Sequence, residues 1–432
     1  MKRSFPIVLL VFLIFFVISF LTNILGPLVP DIITSFSLSL ALASFLPFSF
    51  FVAYGVMSIP AGTMLERFGV KPVLLGAFVL AFAGSLLFGG FPSYTIALTS
   101  LFTIGIGMTL LQVAINPLLR VAGGEEHFAF YSVAAQLVFG SASFFSPYVY
   151  SYLVTNLKGS GDGANVLIRA LSRLVPRDLP WVSLYWLFTV VTLAMIVVLA
   201  FVRLPKVELT DEERPGAWET HVELFKKPVV WLFFVGIFAY VGTEQGVANW
   251  ISKFLQTYHG MDPETAGAAV VSHFWGLMTA GCLLGLVLLK LFDSRKILVV
   301  FSVAAMVALA TALWGSAAIS ANAFRAVGFC LSVMWSIVFA LALNSLAEHH
   351  GTFSGILCTG IIGGAVVPML VGQIGNVLGL RAGMHLVFLT LAYIFGIGFW
   401  AKPLVNNATM SVADLLKAIP KALGADRSAT GA

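Results

Sequence analysis

The stretch YVGTEQGVANW, Tyr240 to Trp250, carries one carboxylate, Glu244, and no Lys, Arg or Asp occurs between Trp231 and Ser252. A charge at the centre of a bilayer costs roughly 3 kcal/mol on insertion scales, so an acid kept there faces a cavity and has work to do. Taking a carboxylate out of water favours its neutral form, which lets such a group load and release a proton. A second chemistry is Na⁺, a hard cation that prefers oxygen ligands; the amides of Asn23, Gln245 and Asn249 could join Glu244 in holding it. A third reading is structural, a protonated Glu bonded to a neighbouring helix. Glu244 is the one Asp, Glu, Lys or Arg well inside an expected span, which removes an intramembrane salt bridge from the choices.

Two pairs of amides accompany the acid. Gln112 and Asn116 are four residues apart on one expected helix and share a face, as do Gln245 and Asn249. Amides both donate and accept, which suits a solute bearing several hydroxyls better than it suits an ion. Each could instead make an interhelical hydrogen bond worth about 0.6 kcal/mol. Trp250, Trp275 and Trp335 lie inside expected spans and offer rings that could cover apolar C–H faces, Trp250 standing beside Asn249. His273 is a proton relay or a structural donor. Gly242 and Gly246 flank Glu244 and lower the cost of breaking the helix there, which would free carbonyls to help ligate an ion. Pro117 and Pro368 predict kinks.

The elements that must position these groups follow from composition. The chain has 432 residues, 59% hydrophobic and 10% charged, with a mean hydropathy of +0.99, whereas soluble domains are about 25% charged. A bilayer core of about 30 Å needs about 20 apolar residues per helix. Such runs are expected near 5–30, 40–65, 72–90, 94–121, 128–154, 181–203, 228–257, 264–290, 296–317, 321–347, 352–379 and 382–402, giving an all-α integral membrane protein of 12 transmembrane helices. The alternating pattern of a membrane β-barrel is absent. Lys2 and Arg3 precede an apolar run with no small-residue cleavage site, read as a first span rather than a signal peptide. With the amino terminus inside, 17 of the 24 Lys and Arg fall on the inner side. Both termini are therefore expected in the cytoplasm, with the chain multi-pass in the cell membrane. The net charge of +5 is explained by anionic lipid, so no nucleic-acid partner is expected.

Arg203 to Lys227 holds 11 charged residues in 25 positions and divides six spans from six. The expected units are a bundle over 1–203, a cytoplasmic linker over 204–227, a second bundle over 228–402 and a cytoplasmic tail over 403–432. Shifting the chain by 223 residues lays Gly62 on Gly285, Arg67 on Lys290 and Asn23 on position 246, a sign of internal repeat. Paired six-span repeats with polar groups at matching depth describe a transporter that rocks one half against the other. Segments 165–175 (NVLIRALSRLV) and 410–423 read as short surface helices. Cys282, Cys330 and Cys358 read as small buried hydrophobes, and Glu348-His349-His350 lacks helical zinc spacing. No nucleotide-phosphate loop is present, which argues against transport driven directly by ATP.

The joint GTMLERFGVK, Gly62 to Lys71, resembles the signature loop of the major facilitator superfamily. That resemblance implies a cytoplasmic latch in which Glu66 takes the acid position and Arg67 and Lys71 the basic ones, beside Gly62, while Val70 departs from the usual arginine. LLQVAINP (Leu110 to Pro117), YVGTEQ (Tyr240 to Gln245), SHFWG (Ser272 to Gly276) and SGILCTGIIGGAVVPMLVG (Ser354 to Gly372) are similar to the fucose/glucose/galactose permease branch. The resemblance aligns Gln136 with a glutamine kept in span five. Proton-coupled fucose permeases carry carboxylates at the positions matching Asn23 and Gln112, and here both are amides. A Glu at 244 looks more like the glucose/galactose side, and Cys282 replaces an arginine usual after the span-eight glycine, implying a weaker second latch.

The expected activity is symport of a hexose such as glucose, galactose or fucose by alternating access, not an enzymatic reaction. It needs no cofactor beyond a coupling ion, Na⁺ or H⁺, with the acids missing at 23 and 112 tilting the reading to Na⁺ at Glu244 and Asn23. Gln112, Asn116, Gln136, Gln245, Asn249 and the three tryptophans would grip the sugar. The carrier is expected to be a monomer in the lipid bilayer. The rivals are an exporter or antiporter of amphipathic compounds and a non-transporting membrane receptor.

Overall fold

The computed structural model describes residues 4–124, 127–159, 165–205, 207 and 218–405. Residues 206 and 208–217 of the expected linker, the tail beyond 405 and the expected helix at 410–423 lie outside the described residues. Eleven segments are long and apolar enough to cross a bilayer. They are Phe5–Ser35, Leu40–Phe68, Val70–Gly90, Tyr94–Gly123, Pro180–Phe201, Pro228–Ala248, Pro263–Leu291, Ser294–Trp314, Ala317–Leu343, His350–Leu378 and Leu380–Trp400. A twelfth long helix, Phe128–Lys158, packs between the first and eighth spans and takes fifth place in chain order. Its serines and Gln136 dilute its hydropathy without adding an acid.

Buried apolar side chains form two clusters. One draws on residues from Ile7 to Leu199, joined by Ala268 and Ala365; the other runs from Leu224 to Ala401, joined by Val29 and Ala43. Each half repeats one close helix contact. A Cβ on Gly105 of the fourth span would collide with the carbonyl oxygen of Phe50 in the second, and one on Gly328 of the tenth with the carbonyl oxygen of Phe274 in the eighth. The 223-residue shift lays Gly105 on Gly328, with the two phenylalanines one residue out of register. Only glycine permits backbones this close.

The first span of each half is interrupted. Helix gives way at Asn23–Ile24, between Phe5–Thr22 and Leu25–Ser35, and at Asn249–Trp250, between Pro228–Ala248 and Ile251–His259. The break expected beside Glu244 is therefore displaced, because Gly242 and Gly246 serve another purpose. Both turn to Val367 of the eleventh span, so they allow close packing rather than helix rupture. Pro117 and Pro368 sit inside continuous helices, Tyr94–Gly123 and Gly363–Leu378.

The joints differ between halves. Lys71 donates to the carbonyls of Ala200 (3.0 Å) and Val202 (2.8 Å), closing the end of the sixth span, while Glu66 and Arg67 are exposed and the Arg67 guanidinium lies over Phe68. In the second half Asp293 caps the ninth span by accepting from the Arg295 amide at 2.8 Å, and the Arg295 side chain beside it holds its carboxyl below the usual carboxylate range. The segment Val166–Leu174 forms the expected short helix, with Asn165 as its cap and Ile168 and Leu171 buried.

Candidate functional site

Glu244 sits in an unbroken helix, half-buried, on the face that also carries Tyr240 one turn earlier. Gln245 Nε2 donates to Glu244 Oε1 at 3.0 Å. Among the described residues no Lys or Arg pairs with it. The Cys282 thiol of the eighth span lies within electrostatic reach, exposed and donating to the carbonyl of Ser332 at 3.2 Å. The tenth span completes the cluster: Trp335 lies 5.8 Å from Tyr240 between ring centroids and stacks on Phe339 at 5.7 Å. Of the three tryptophans, Trp335 is the one that packs on Tyr240, one turn before the acid.

The other expected groups divide sharply. Asn116 and Gln136 are exposed and Gln112 is half-buried, and none of the three finds a hydrogen-bond partner among the described residues. An amide facing hydrocarbon without a partner costs several kcal/mol, so side chains left this way within spans require water beside them. Gln245 and Asn249 are instead only 3% and 2% exposed. Asn249 Nδ2 donates to Gln245 Oε1 (3.1 Å) and to the Gln245 carbonyl (2.9 Å), so this pair bridges the helix break and steadies Glu244. Trp250 is buried and its indole N–H donates to the Pro368 carbonyl at 3.1 Å. Trp275 is buried against Phe274, with its indole N–H unpartnered.

Asn23 does not join Glu244. Its Nδ2 donates to Ser143 Oγ at 2.8 Å, and Ser19 of the same helix meets Ser143 at 2.6 Å, so Asn23 fastens the first span to the fifth. The Asn23 Oδ1 is buried without a partner. Among the described residues the hydrogen bond that reaches the Glu244 carboxylate comes from Gln245 Nε2, and none joins Asn23 to Glu244.

Several contributors were invisible to local spacing. Asp31 lies within the first span, not at its edge, because that helix continues to Ser35; it accepts from the Tyr150 hydroxyl at 2.6 Å. Glu244 is thus not alone as an acid inside a span. Tyr240 was legible as a residue four before Glu244, but Cys282, Trp335 and Phe339 come together only through tertiary packing.

The halves meet at the end of the bundle away from the chain termini. Lys158 pairs with Glu264, Gln373 Nε2 donates to the Ala41 carbonyl at 3.1 Å, and Ser272 donates to the Phe144 carbonyl at 2.5 Å. Gly26 lies against the Ala248 carbonyl with no room for a Cβ, bringing the two interrupted spans into direct backbone contact.

Residues 11–368 match the profile of the Major Facilitator Superfamily. The chain is 28% identical over 398 residues to a glucose/galactose transporter of Brucella abortus biovar 1 (strain 9-941), a match spanning 88% of this chain and 90% of the relative. It is 23% identical over 388 residues to the L-fucose-proton symporter of Escherichia coli (strain K12), spanning 85% and 86% respectively. Its fold matches that of the crystallised E. coli fucose:proton symporter with a TM-score of 0.65 at 19% identity, over 93% of this chain and 100% of that one. It also matches an inward-facing, occupied bacterial homologue of the human lysosomal transporter Spinster with a TM-score of 0.73 at 16% identity, over 92% and 96%. With a profile that covers most of its length and a helical architecture to match, the chain belongs to the Major Facilitator Superfamily.

Proposed function

We propose that this protein is a proton-coupled hexose symporter of the cell membrane, working by alternating access between two six-span halves with both termini in the cytoplasm. The observation that carries the reading is a mid-span carboxylate, Glu244, which accepts from Gln245 and pairs with no Lys or Arg among the described residues. Such a group has one inexpensive way to become neutral inside a membrane, which is to take a proton. Gln112, Asn116 and Gln136 supply unpaired donors and acceptors from the first half, and Trp335, Tyr240 and Phe339 an aromatic platform from the second. A hexose between them meets hydrogen bonds on its hydroxyls and rings on its C–H face. The activities named for the relatives, glucose/galactose transport and L-fucose-proton symport, support both the substrate class and the proton.

In the cycle, the contacts at the far end close the outer gate while the amides remain open toward the cytoplasm. Return of a carrier loaded with proton alone leaves the amides unsatisfied as the halves close around them, whereas sugar satisfies them. Coupling follows from that difference. The test is uptake of labelled glucose, galactose and fucose into proteoliposomes under separate proton and sodium gradients. Accumulation under the proton gradient is expected; failure of every sugar to accumulate under it would overturn the reading.

A further inference from the structure

A second polar cluster lies at the far end of the bundle, away from Glu244 and outside the proposed transport site. Arg381 opens the twelfth span, and its guanidinium carbon sits 4.5 Å from the ring centroid of Tyr258, 4.8 Å from Trp314 and 5.9 Å from Phe254. These rings hold the planar cation through its faces and leave its N–H edges without work. Among the described residues Nε has no partner, and no Asp or Glu pairs with the group. The Nε2 of His259 nearby is likewise buried and unpartnered. The backbone is fixed around them: the Arg381 amide donates to the Tyr258 hydroxyl at 3.0 Å, and His385 Nδ1 donates to the Arg381 carbonyl at 2.7 Å. An open pocket of about 410 Å³ is lined by Tyr258, Trp314, Leu378, Arg381, Ala382 and His385.

We propose that this cavity binds the headgroup phosphate of an anionic phospholipid. A guanidinium with free edges pairs phosphate oxygens two at a time, which no other arrangement of these residues would use. The rim argues for a lipid over a dissolved anion. Trp314, Leu378 and Val377 are 66%, 71% and 79% exposed at the ends of spans, where tryptophan sits at headgroup level in a bilayer. Below Trp314 the ninth span presents Val300, Val303 and Val307, all exposed, at spacings of three, four and seven residues that put them on one face with Trp314. An acyl chain would lie along that face with its phosphate at Arg381.

The purified full chain in detergent is titrated with dioleoylphosphatidylglycerol, dioleoylphosphatidylcholine and inorganic phosphate. Bound lipid is counted by native mass spectrometry and stability is followed by thermal melting. Phosphatidylglycerol binds and raises the melting temperature, phosphatidylcholine does so weakly, and phosphate does not displace the lipid. Arg381→Gln weakens the phosphatidylglycerol response by about tenfold, the size of a lost charge-assisted hydrogen bond, and Arg381→Lys restores part of it. If Arg381→Gln does not fold, Trp314→Leu serves in its place and lowers the same affinity by a smaller factor. Equal phosphatidylglycerol binding by wild type and by the variant that folds, no preference over phosphatidylcholine, or displacement by inorganic phosphate would each overturn the proposal.

Discussion

The two halves share a scaffold and differ in chemistry. Both pack their second and fourth helices through a glycine pressed on a carbonyl, Gly105 on Phe50 and Gly328 on Phe274, and both interrupt their leading helix, at Asn23 and at Asn249. In the second half the leading helix holds Glu244 beside the Cys282 thiol and the Trp335 ring. In the first half it holds Asn23, bonded to Ser143 and sealed from the centre, while the exposed polarity sits on Asn116 and Gln136. Under the proposed function, the duplicated frame lets one half specialise in the proton and the other in the sugar's hydroxyls.

The largest effect should come from Glu244→Gln, which keeps shape and hydrogen bonding but cannot ionise. Accumulation under a proton gradient should fall to background while sugar exchange between equal pools persists; an equal loss of both would move Glu244 to the binding side of the division. The shared frame is tested next. Gly105→Val and Gly328→Val should each destabilise by about 1–3 kcal/mol through overpacking, read as lowered melting temperatures. If only one of the pair matters, the halves do not share this contact energetically.

Smaller changes are expected from the amides. Gln136→Ala and Asn116→Ala should each weaken sugar binding by about tenfold, the loss of roughly one hydrogen bond and its unpaired partner. Proton stoichiometry should be unchanged. A shift in stoichiometry would show that the first half also carries the proton. The smallest effect belongs to the exposed pair Lys158–Glu264, since such pairs contribute about 0–1 kcal/mol. Lys158→Ala should raise the accessibility of far-end positions to membrane-impermeant thiol reagents about twofold or less, and the charge swap Lys158→Glu with Glu264→Lys should reverse it.

Much of the helical frame was legible because apolar length is a local property. The spans, the surface helix at Val166–Leu174 and the repeat offset through Gly62 and Gly285 all followed from residue type and spacing. Asn116 and Gln136 stand out in the sequence against apolar neighbours and are exposed in the structure, while Glu244 is half-buried and accepts from Gln245. Where partners exist, local spacing does not reveal them. Asn249, Gln245 and Trp250 read as sugar ligands from the sequence; in the structure Asn249 donates to Gln245, Gln245 to Glu244 and Trp250 to the Pro368 carbonyl. Asn23 looks like an ion ligand, yet its partner Ser143 is 120 positions away. Gly242 and Gly246 look like a break, yet Val367 fills the space they leave. In each case the deciding contact crosses between helices, where periodicity carries no information.

The central claim is that the proton moves on Glu244 together with sugar. Proteoliposomes loaded with a pH-sensitive dye and given glucose, galactose or fucose without an imposed gradient test it directly. The wild-type protein should draw protons across the membrane in step with whichever sugar it carries, and Glu244→Gln should move that sugar with no proton flux. Sugar-dependent proton movement in Glu244→Gln equal to wild type would contradict the account.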